Sequence, residues 1–481
     1  MLLAGPEGNC RAQRNLRAPK EIAGHREIIG KNGMRGCRSL PKRGNGSRKQ
    51  QPIFRRPAGQ GGQAAKEKRG INMKKRLIKK YARTIARIGL NIQRGQSVLI
   101  NAEPECEDFA VLVAEECYRA GAGKVVVDFL SNKLTRLDYK YQKLSTLQRV
   151  SVWQEEKAKE EANQNPAKLL ISSSDPMALK GIDVEKAQKV TRARRAVFKK
   201  YHDELDGKQQ WCIAACPSKA WAKTVFPGVS TAAAVEKLWE AILASVYVDE
   251  ENDPEEIWEE RREDFERRCR RLNSLDLREL HYTSAKGTDL TVGLIKGAVF
   301  EGGGATSLIG IDFVPNLPTE EIFTTPMRGV CEGVVYSTKP LSYSGNIIDN
   351  FSITFKDGKA VSWQAEQGED LLGSIITLDE GSSMLGEVAI VPETSPLGQT
   401  GILFLNTLFD ENASCHLALG RGISSSILDY EDKTMEELCE MGINDSLTHV
   451  DFMIGDETLC ITGTTGSGKK VKLLENGLWA F

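Results

Sequence analysis

The chain has 481 residues, and its 65 basic and 65 acidic side chains give a formal net charge of zero. A hydrophobic content of 40% and a charged content of 27% are typical of a soluble protein with room for two or three domains. Because no run of about 18 apolar residues occurs, the sequence excludes a membrane-spanning helix. The 11 cysteines form no CxxC pair, which argues against a thiolate zinc site and favours a reduced, cytoplasmic protein.

Residues 1–72 differ in composition from the rest of the chain. They hold 17 basic and 4 acidic residues, a net charge of about +13, whereas the other 409 residues carry about −13. The segment is rich in Arg, Gly and Gln and has no hydrophobic period, which is typical of disorder. Three interpretations compete: a nucleic-acid-binding arm, a targeting peptide, or an extension foreign to the natural protein. We favour the third, without a nucleic-acid partner, because periodic sequence begins at Met73; the N-terminal mass of the natural protein would test it.

Residues 73–280 alternate between helical and strand patterns. The helical patterns cover Leu77–Leu90, Glu105–Ala120, Ile182–Leu205, Thr231–Val248 and Asp253–Leu272, and the strand patterns cover Gln96–Asn101, Lys124–Phe129, Lys168–Ser172 and Trp211–Cys216. The last helix opens with a cap residue, a proline and two acids, all suited to a helix start. This alternation predicts an α/β N-terminal domain with a mostly parallel sheet.

The first domain offers little direct evidence of chemistry. No GxGxxG motif follows its first strand, which argues against the hypothesis of a nucleotide-binding protein. His202 lies in a charged helical stretch and His281 at the start of a strand, and lone histidines in such places are more often structural or solvated. Thermal stabilisation by nucleotides would test the nucleotide-binding alternative.

In residues 281–481 the pattern changes to short strands. These strands are predicted at Leu290–Leu294, Gly333–Ser337, Phe351–Phe355, Ala360–Trp363, Glu387–Val391 and Gly401–Asn406. Asp357-Gly358 is a hairpin signal, and Glu369–Ile376 has a helical pattern. We expect an α+β C-terminal domain with a mixed or antiparallel sheet.

Gly463-Thr-Thr-Gly-Ser-Gly-Lys-Lys470 nearly matches a phosphate-binding loop. Lys470 replaces the final Ser or Thr that would hold magnesium, and the flanking Leu459–Thr462 and Lys470–Leu473 predict a hairpin instead of a strand–loop–helix unit. We therefore expect no nucleotide site in this segment.

His449 and Asp451 lie in a β-rich run and are two residues apart. With the period of two of a strand, both side chains point to one face, while Val450 and Phe452 point to the other. An imidazole and a carboxylate can then converge on a single cation. A surface strand with His and Asp is at least as common, so this pair alone decides nothing.

Further acids and a second imidazole occur at three other places. Glu387 begins a predicted strand, Glu411 and His416 share one short segment, and Glu320 and Glu321 follow a proline on a loop before a strand. Each acid alone also fits a solvated carboxylate. Together they supply enough ligands for two divalent cations about 3.5–4 Å apart, the arrangement of two-metal hydrolases.

Five longer motifs share their residues and their order with one known family. They are Asn316–Thr324, Ser337–Leu341, Leu385–Ala389, Leu408–Gly420 and Leu447–Gly455. These motifs resemble the thermophilic-type metallo-aminopeptidases, the family of aminopeptidase T and aminopeptidase S. The resemblance runs from about Met73 to Phe481 and leaves residues 1–72 uncovered.

The resemblance implies a two-metal exopeptidase that removes N-terminal residues from peptides, as a homodimer. From the lack of a long apolar run we also expect no membrane partner. It implies two divalent ions, which could be zinc, cobalt, manganese or magnesium. The metal ligands that it assigns are Glu321, Glu387 (as a bridge), His416, His449 and Asp451. The candidates for the catalytic proton transfer are Glu320 and Glu411, which we place just outside the ligands.

One position departs from the family pattern. The family has a tyrosine seven residues after the first ligand histidine, and here that residue is Ile423. Isoleucine can neither coordinate a cation nor donate a hydrogen bond, and the nearest tyrosine, Tyr430, lies seven residues further on. The alternative to an active enzyme is therefore a catalytically impaired or non-catalytic member that binds metal or peptide.

Overall fold

The computed structural model describes residues 74–481, apart from Ser174, Leu179 and Ser344 and the side chains of Val184 and Gln188. The basic segment of residues 1–72 lies outside the described residues, so its interpretation stays a prediction. Lys75–Phe481 belong to one compact unit.

The first region consists of alternating helices and strands. In chain order they are α1 (74–84), β1 (Ser97–Ala102), α2 (Glu107–Ala120), β2 (Lys124–Phe129), α3 (Asn132–Tyr141), α4 (Leu144–Gln148), α5 (Val152–Gln164), β3 (Ala167–Ser172), α6 (Val184–Leu205), β4 (Trp211–Ala215), α7 (Lys219–Val225), α8 (Thr231–Ser245) and α9 (Pro254–Asn273). A π-helical turn, Ile85–Gly89, continues α1.

Local sequence signals set the ends of these helices. Gly121 ends α2 in the left-handed conformation, with φ of 116°, a conformation that glycine adopts without the steric cost of a side chain. Asp253 caps α9 by accepting a hydrogen bond from the amide of Glu255, and Pro254 occupies the first helical position. Both ends agree with the predictions from sequence.

The second region is built mainly from strands. Its elements are β5 (Leu277–Thr283), β6 (Asp289–Leu294), β7 (Glu301–Gly302), β8 (Ala305–Thr306), β9 (Asp312–Phe313), β10 (Asn316–Leu317), β11 (Ile322–Thr324), β12 (Pro326–Tyr336), β13 (Leu341–Tyr343), β14 (Asn346–Lys356), β15 (Lys359–Gln367), α10 (Glu369–Ile376), β16 (Leu385–Ile390), α11 (Pro396–Gln399), α12 (Thr407–Asp410), β17 (His416–Gly420), α13 (Met435–Met441), β18 (His449–Met453), β19 (Cys460–Thr465), β20 (Lys470–Glu475) and β21 (Leu478–Trp479).

The first region carries a parallel sheet with the strand order β10-β4-β3-β1-β2. Val98 of β1 lies opposite Val125 of β2 and Ala167 of β3, and each of these pairings is parallel. The edge strand β10 comes from the second region and pairs in parallel with β4. The predicted α/β domain with a mostly parallel sheet is confirmed.

The second region carries antiparallel sheets. One has the order β18-β17-β16-β11-β7, and a larger one has the order β13-β14-β12-β6-β5-β19-β20-β21, with β15 beside β14. Asp357 and Gly358 both have positive φ in the two-residue turn between β14 and β15, as a type I′ hairpin requires. The segment that resembles a phosphate-binding loop instead lies in the hairpin of β19 and β20, as predicted.

Two large hydrophobic cores lie behind these sheets. The first includes Trp221 and Tyr81 from the α/β region, together with Phe404 and Phe409 from the second region. The second joins α9 and α10 to the antiparallel sheets. A segment of the second region thus packs into the first core, and the predicted division near residue 280 stays a prediction.

The predicted strand at Gly401–Asn406 is wrong. The amides of Phe404 and Asn406 donate hydrogen bonds of 2.8 and 2.9 Å to the two carboxylate oxygens of Asp410 and not to a neighbouring strand. Leu405, between them, has φ of 55°, in the left-handed region that an extended strand excludes. This apolar run is therefore a loop held by a buried carboxylate.

Among the described residues, none of the helices is both long enough and apolar enough to cross a membrane.

Candidate metal centre

The register of the sheet β18-β17-β16-β11-β7 brings the predicted ligands onto one face. Ala389 lies opposite His416, and Ala418 lies opposite both Glu387 and Asp451. Since alternate residues of a strand share a face, Glu387, His416, His449 and Asp451 all project from the same side of the sheet. The opposite face is buried in the second core and carries Val388, Leu417, Val450 and Phe452.

These side chains form two groups of three that share one carboxylate. The first group contains Glu321, Glu387 and His416, and the second contains Glu387, His449 and Asp451; within each group the ligand atoms lie within 4.8 Å of one another. His416 Nε2 lies 3.1 Å from Glu321 Oε2 and 3.8 Å from Glu387 Oε1. His449 Nε2 lies 3.0 Å from Glu387 Oε2 and 3.2 Å from Asp451 Oδ1. The structure thus brings all five predicted ligands together.

Backbone carbonyl groups orient both imidazoles. Nδ1 of His416 lies 3.2 Å from the carbonyl oxygen of Ser414, and Nδ1 of His449 lies 2.8 Å from that of Arg421. Because a carbonyl oxygen can only accept a hydrogen bond, Nδ1 of each ring carries a proton, and Nε2 is the nitrogen that faces the carboxylates. Metal-binding histidines are commonly held in this way by a second partner.

The charges of the cluster are strongly coupled. Burial by itself lowers the pKa of His416, but the carboxylates of Glu321 and Glu387 outweigh it and raise that pKa to about 10. Burial opposes the same shift at His449, where Asp451 and Glu387 raise the pKa well above its usual value. Burial raises the pKa of Glu387, and the hydrogen bond with the imidazole of His449 partly opposes this rise. The cluster thus favours added positive charge.

The donor set fits a divalent cation. Imidazole nitrogens and carboxylate oxygens together suit zinc, cobalt or manganese. Asp451 Oδ1 is buried and accepts no hydrogen bond from the described residues, although His449 Nε2 lies 3.2 Å away. A buried carboxylate oxygen without a donor is costly unless a cation completes its coordination.

Glu411 lies beside this cluster, at the start of a short helical turn before β17 (Glu411–Ala413). Burial and the neighbouring charges of Glu321 and Asp451 raise its pKa well above the usual value. Asn412 Nδ2 lies 3.4 Å from Glu411 Oε1, and Asn412 Oδ1 accepts a hydrogen bond of 2.7 Å from the amide of Glu320. Asn412 therefore joins the two segments that carry the site. The sequence analysis did not single it out, although it lies within the motif Leu408–Gly420.

The carboxylate of Glu320 contacts a different set of residues. Its Oε1 accepts a hydrogen bond of 2.7 Å from the hydroxyl of Tyr247, and its Oε2 accepts one of 2.6 Å from Arg261. Neither group of three ligands includes Glu320. Of the two predicted proton-transfer residues, Glu411 is the one whose charge interacts with the ligands.

Ile423 lies on the segment that follows β17. Its amide donates a hydrogen bond of 3.3 Å to Thr325 Oγ1, which itself donates one of 3.1 Å to the carbonyl oxygen of Gly386, next to Glu387. Tyr430 packs instead beside a small apolar cluster that includes Ile427. Through Thr325 the segment is linked to β16, the strand that carries Glu387, and its side chain at this position is aliphatic.

Glu301 is a buried acid on the edge strand β7, outside both ligand groups. Burial raises its pKa to about 8, partly opposed by a hydrogen bond of 2.9 Å from Ser425 Oγ. Because its folded pKa exceeds the ordinary value of 4.5, its contribution to stability is complete below about pH 4.5 and is lost as the pH rises to about 8.

We expect Glu301→Gln to flatten the decline of stability with pH. Between about pH 5 and pH 8, the unfolding free energy of the wild-type protein should fall relative to the variant by up to about 1.4 kcal/mol per pH unit. Urea unfolding of both proteins over this range measures the difference. Parallel pH dependences would show that Glu301 does not hold a proton in the folded state.

The fold and the site together define a protein with an α/β scaffold and a cluster of histidine and carboxylate side chains that could hold metal ions. The sequence model described as thermophilic metalloprotease (M29) matches residues 74–479. The chain belongs to this family.

Its relatives carry related names. It is 40% identical over 402 residues to aminopeptidase AmpS of Bacillus subtilis (strain 168), covering 83% of this chain and 98% of that protein. It is 36% identical over 406 residues to aminopeptidase T of Thermus aquaticus, covering 84% of this chain and 98% of that protein. The solved structure of wild-type AmpT from Thermus thermophilus superposes with a TM-score of 0.77 at 35% identity, over 85% of this chain and 100% of that chain. The family and the fold class predicted from sequence are confirmed.

Proposed function

We propose that the protein is a two-metal aminopeptidase that hydrolyses the N-terminal residue of peptides. The observation that carries the proposal is that two groups of three ligand side chains share Glu387. A shared carboxylate is what two neighbouring cations need, since one oxygen can face each ion. The names of the relatives support the reaction, and the match over residues 74–479 supports the metal dependence.

The five ligands would hold the cations as two overlapping sets: Glu321, Glu387 and His416; and Glu387, His449 and Asp451. Two bound divalent ions would polarise the scissile carbonyl and lower the pKa of the attacking water.

Glu411 is our candidate for proton transfer. Its charge interacts with those of Glu321 and Asp451, so it lies close enough to the ligands for its ionised carboxylate to take the water's proton and return it to the leaving amine. Glu320 is the weaker candidate, because both of its carboxylate oxygens already accept hydrogen bonds from Tyr247 and Arg261. Asn412 fixes Glu411 relative to the loop that carries Glu321.

A second candidate function is suggested by Ile423. A family member that lacks the tyrosine could bind metal or peptide without efficient turnover. The homodimer that the family resemblance implies and the cytoplasmic location that the cysteine pattern favours also stay predictions, and sedimentation of the purified chain would test the dimer.

Removal and return of metal tests the function directly. We expect the chelator-stripped full chain to lose hydrolysis of a panel of aminoacyl-coumarin substrates, and to regain it with zinc, cobalt, manganese or magnesium added singly. Substrates with a blocked N-terminus should resist cleavage and serve as the control. Two bound ions with no cleavage of any substrate would favour the non-catalytic alternative, and cleavage without any bound ion would contradict the proposal.

A further inference from the structure

Glu320 is a buried carboxylate whose charge is matched by one arginine. It is 6% exposed, and its two oxygens accept hydrogen bonds from Tyr247 at 2.7 Å and from Arg261 at 2.6 Å. The Arg261 side chain is itself only 22% exposed. A buried charge that loses its partner is strongly destabilising, so the place of this carboxylate depends on Arg261.

Aromatic rings hold the guanidinium group of Arg261. It lies 4.6 Å from the ring centre of Tyr247, 5.7 Å from that of Trp258 and 5.3 Å from that of Phe265. Cation–π contacts of this kind are favourable and restrict the arginine to one position. Because Trp258 and Phe265 lie with Arg261 on the 20-residue helix α9, the arginine is fixed to a rigid element.

Tyr247 is fixed in turn by its backbone and by α9. Its φ of 59° lies in the left-handed region, which is rare for an aromatic residue. Its ring packs edge-on against Trp258, with centroids 5.8 Å apart, and Trp258 Nε1 donates a hydrogen bond of 3.2 Å to the carbonyl oxygen of Val246. The turn after α8 and the first half of α9 therefore form one preformed binding site for the Glu320 carboxylate.

This binding site also fixes the position of the residue next to Glu320. Glu321, a member of the first ligand group, follows it directly and leads into β11. Arg261 Nη2 also lies 3.3 Å from the carbonyl oxygen of Thr319, and the amide of Glu320 donates to Asn412 Oδ1 at 2.7 Å. The loop of Thr319–Glu321 is thus hydrogen-bonded to α9 on one side and to the Glu411 segment on the other.

We propose that Arg261 is a positioning residue, which acts through Glu320 to place the carboxylate of Glu321 for the cation. The inference rests on the proposed function for the presence of the cation, and it assigns to α9 of the α/β region a role in the metal centre. Glu320 is then an anchor of the ligand loop, and Glu411 alone transfers the proton.

The experiment measures ion affinity apart from activity. The chelator-stripped full chain is titrated calorimetrically with zinc, cobalt or manganese, and the thermal unfolding of the metal-free protein is recorded beside it. For Arg261→Met we expect about 10–100-fold weaker binding of one ion, as for other residues that orient a ligand. The matched control is Arg262→Met, because Arg262 pairs with Glu259 and Glu266 on the same helix; it should bind both ions as the wild type does.

A more conservative variant tests the same role if Arg261→Met fails to fold. Tyr247→Phe keeps the ring and removes one hydroxyl, so we expect about fivefold weaker binding of the same ion, the equivalent of one hydrogen bond. Wild-type ion affinity in both Arg261→Met and Tyr247→Phe would overturn the inference, even if metal-free stability falls. Wild-type protein that binds ions but cleaves no peptide would overturn the proposed function alone, and wild-type protein that binds no ion would overturn both.

Discussion

Glu387→Gln is expected to abolish peptide hydrolysis, because Glu387 belongs to both ligand groups. The amide keeps the size of the side chain but removes the charge that faces both His416 and His449, at 3.8 and 3.0 Å. We expect a loss of more than about 10³-fold in kcat/KM, equivalent to more than about 4 kcal/mol of transition-state stabilisation.

The number of ions bound by each variant tests whether both ions depend on the Glu387 carboxylate. We expect about two ions per wild-type chain, about one in His416→Ala, where the second group is intact, and close to none in Glu387→Gln. Elemental analysis of dialysed protein measures these numbers. Glu301→Gln is the matched control, since Glu301 is another buried acid of the same sheet outside the ligand groups, and it should retain both ions and activity. Equal ion content in Glu387→Gln and the wild type would remove Glu387 from the centre.

The helices and the parallel strands could be predicted because their signals are local. The spacing of apolar residues, the glycine after α2 and the Asp-Pro start of α9 depend only on neighbours in sequence. The same local reasoning failed at Gly401–Asn406. There the apolar pattern of a strand is overruled by hydrogen bonds to Asp410, a residue whose own burial no local pattern indicates.

The ligand residues could be proposed from sequence because each lies in a strand or at its entrance with a chemically distinctive side chain. Their register across three strands could not, since it depends on which strands pair. The partners of Glu320 were also beyond reach: Arg261 and Tyr247 lie 59 and 73 residues away in sequence. Arginine and tyrosine on a predicted helix or turn are too common to mark a second layer of a site.

Ile423→Tyr is expected to raise the rate of hydrolysis. The amide of Ile423 is held by Thr325 Oγ1 beside the strand of Glu387, and the Ile423 side chain is only partly buried and lies outside the three hydrophobic cores. A larger side chain can therefore extend from this position without overpacking a core. A tyrosine hydroxyl there would supply the hydrogen-bond donor that isoleucine lacks, and we expect kcat to rise by about 10²–10³-fold, as for other oxyanion donors.

Ile423→Phe separates the hydroxyl from the ring. If the gain comes from a donor to the developing oxyanion, the tyrosine variant should raise kcat with little change in KM, while the phenylalanine variant should stay near the wild type. Steady-state kinetics of the three proteins at saturating metal measures this difference. An equal gain in both variants would assign the effect to apolar contact with the substrate. No gain in either variant would mean that a side chain at position 423 does not reach the oxyanion. If the wild-type chain then also cleaves no peptide, the non-catalytic alternative is favoured.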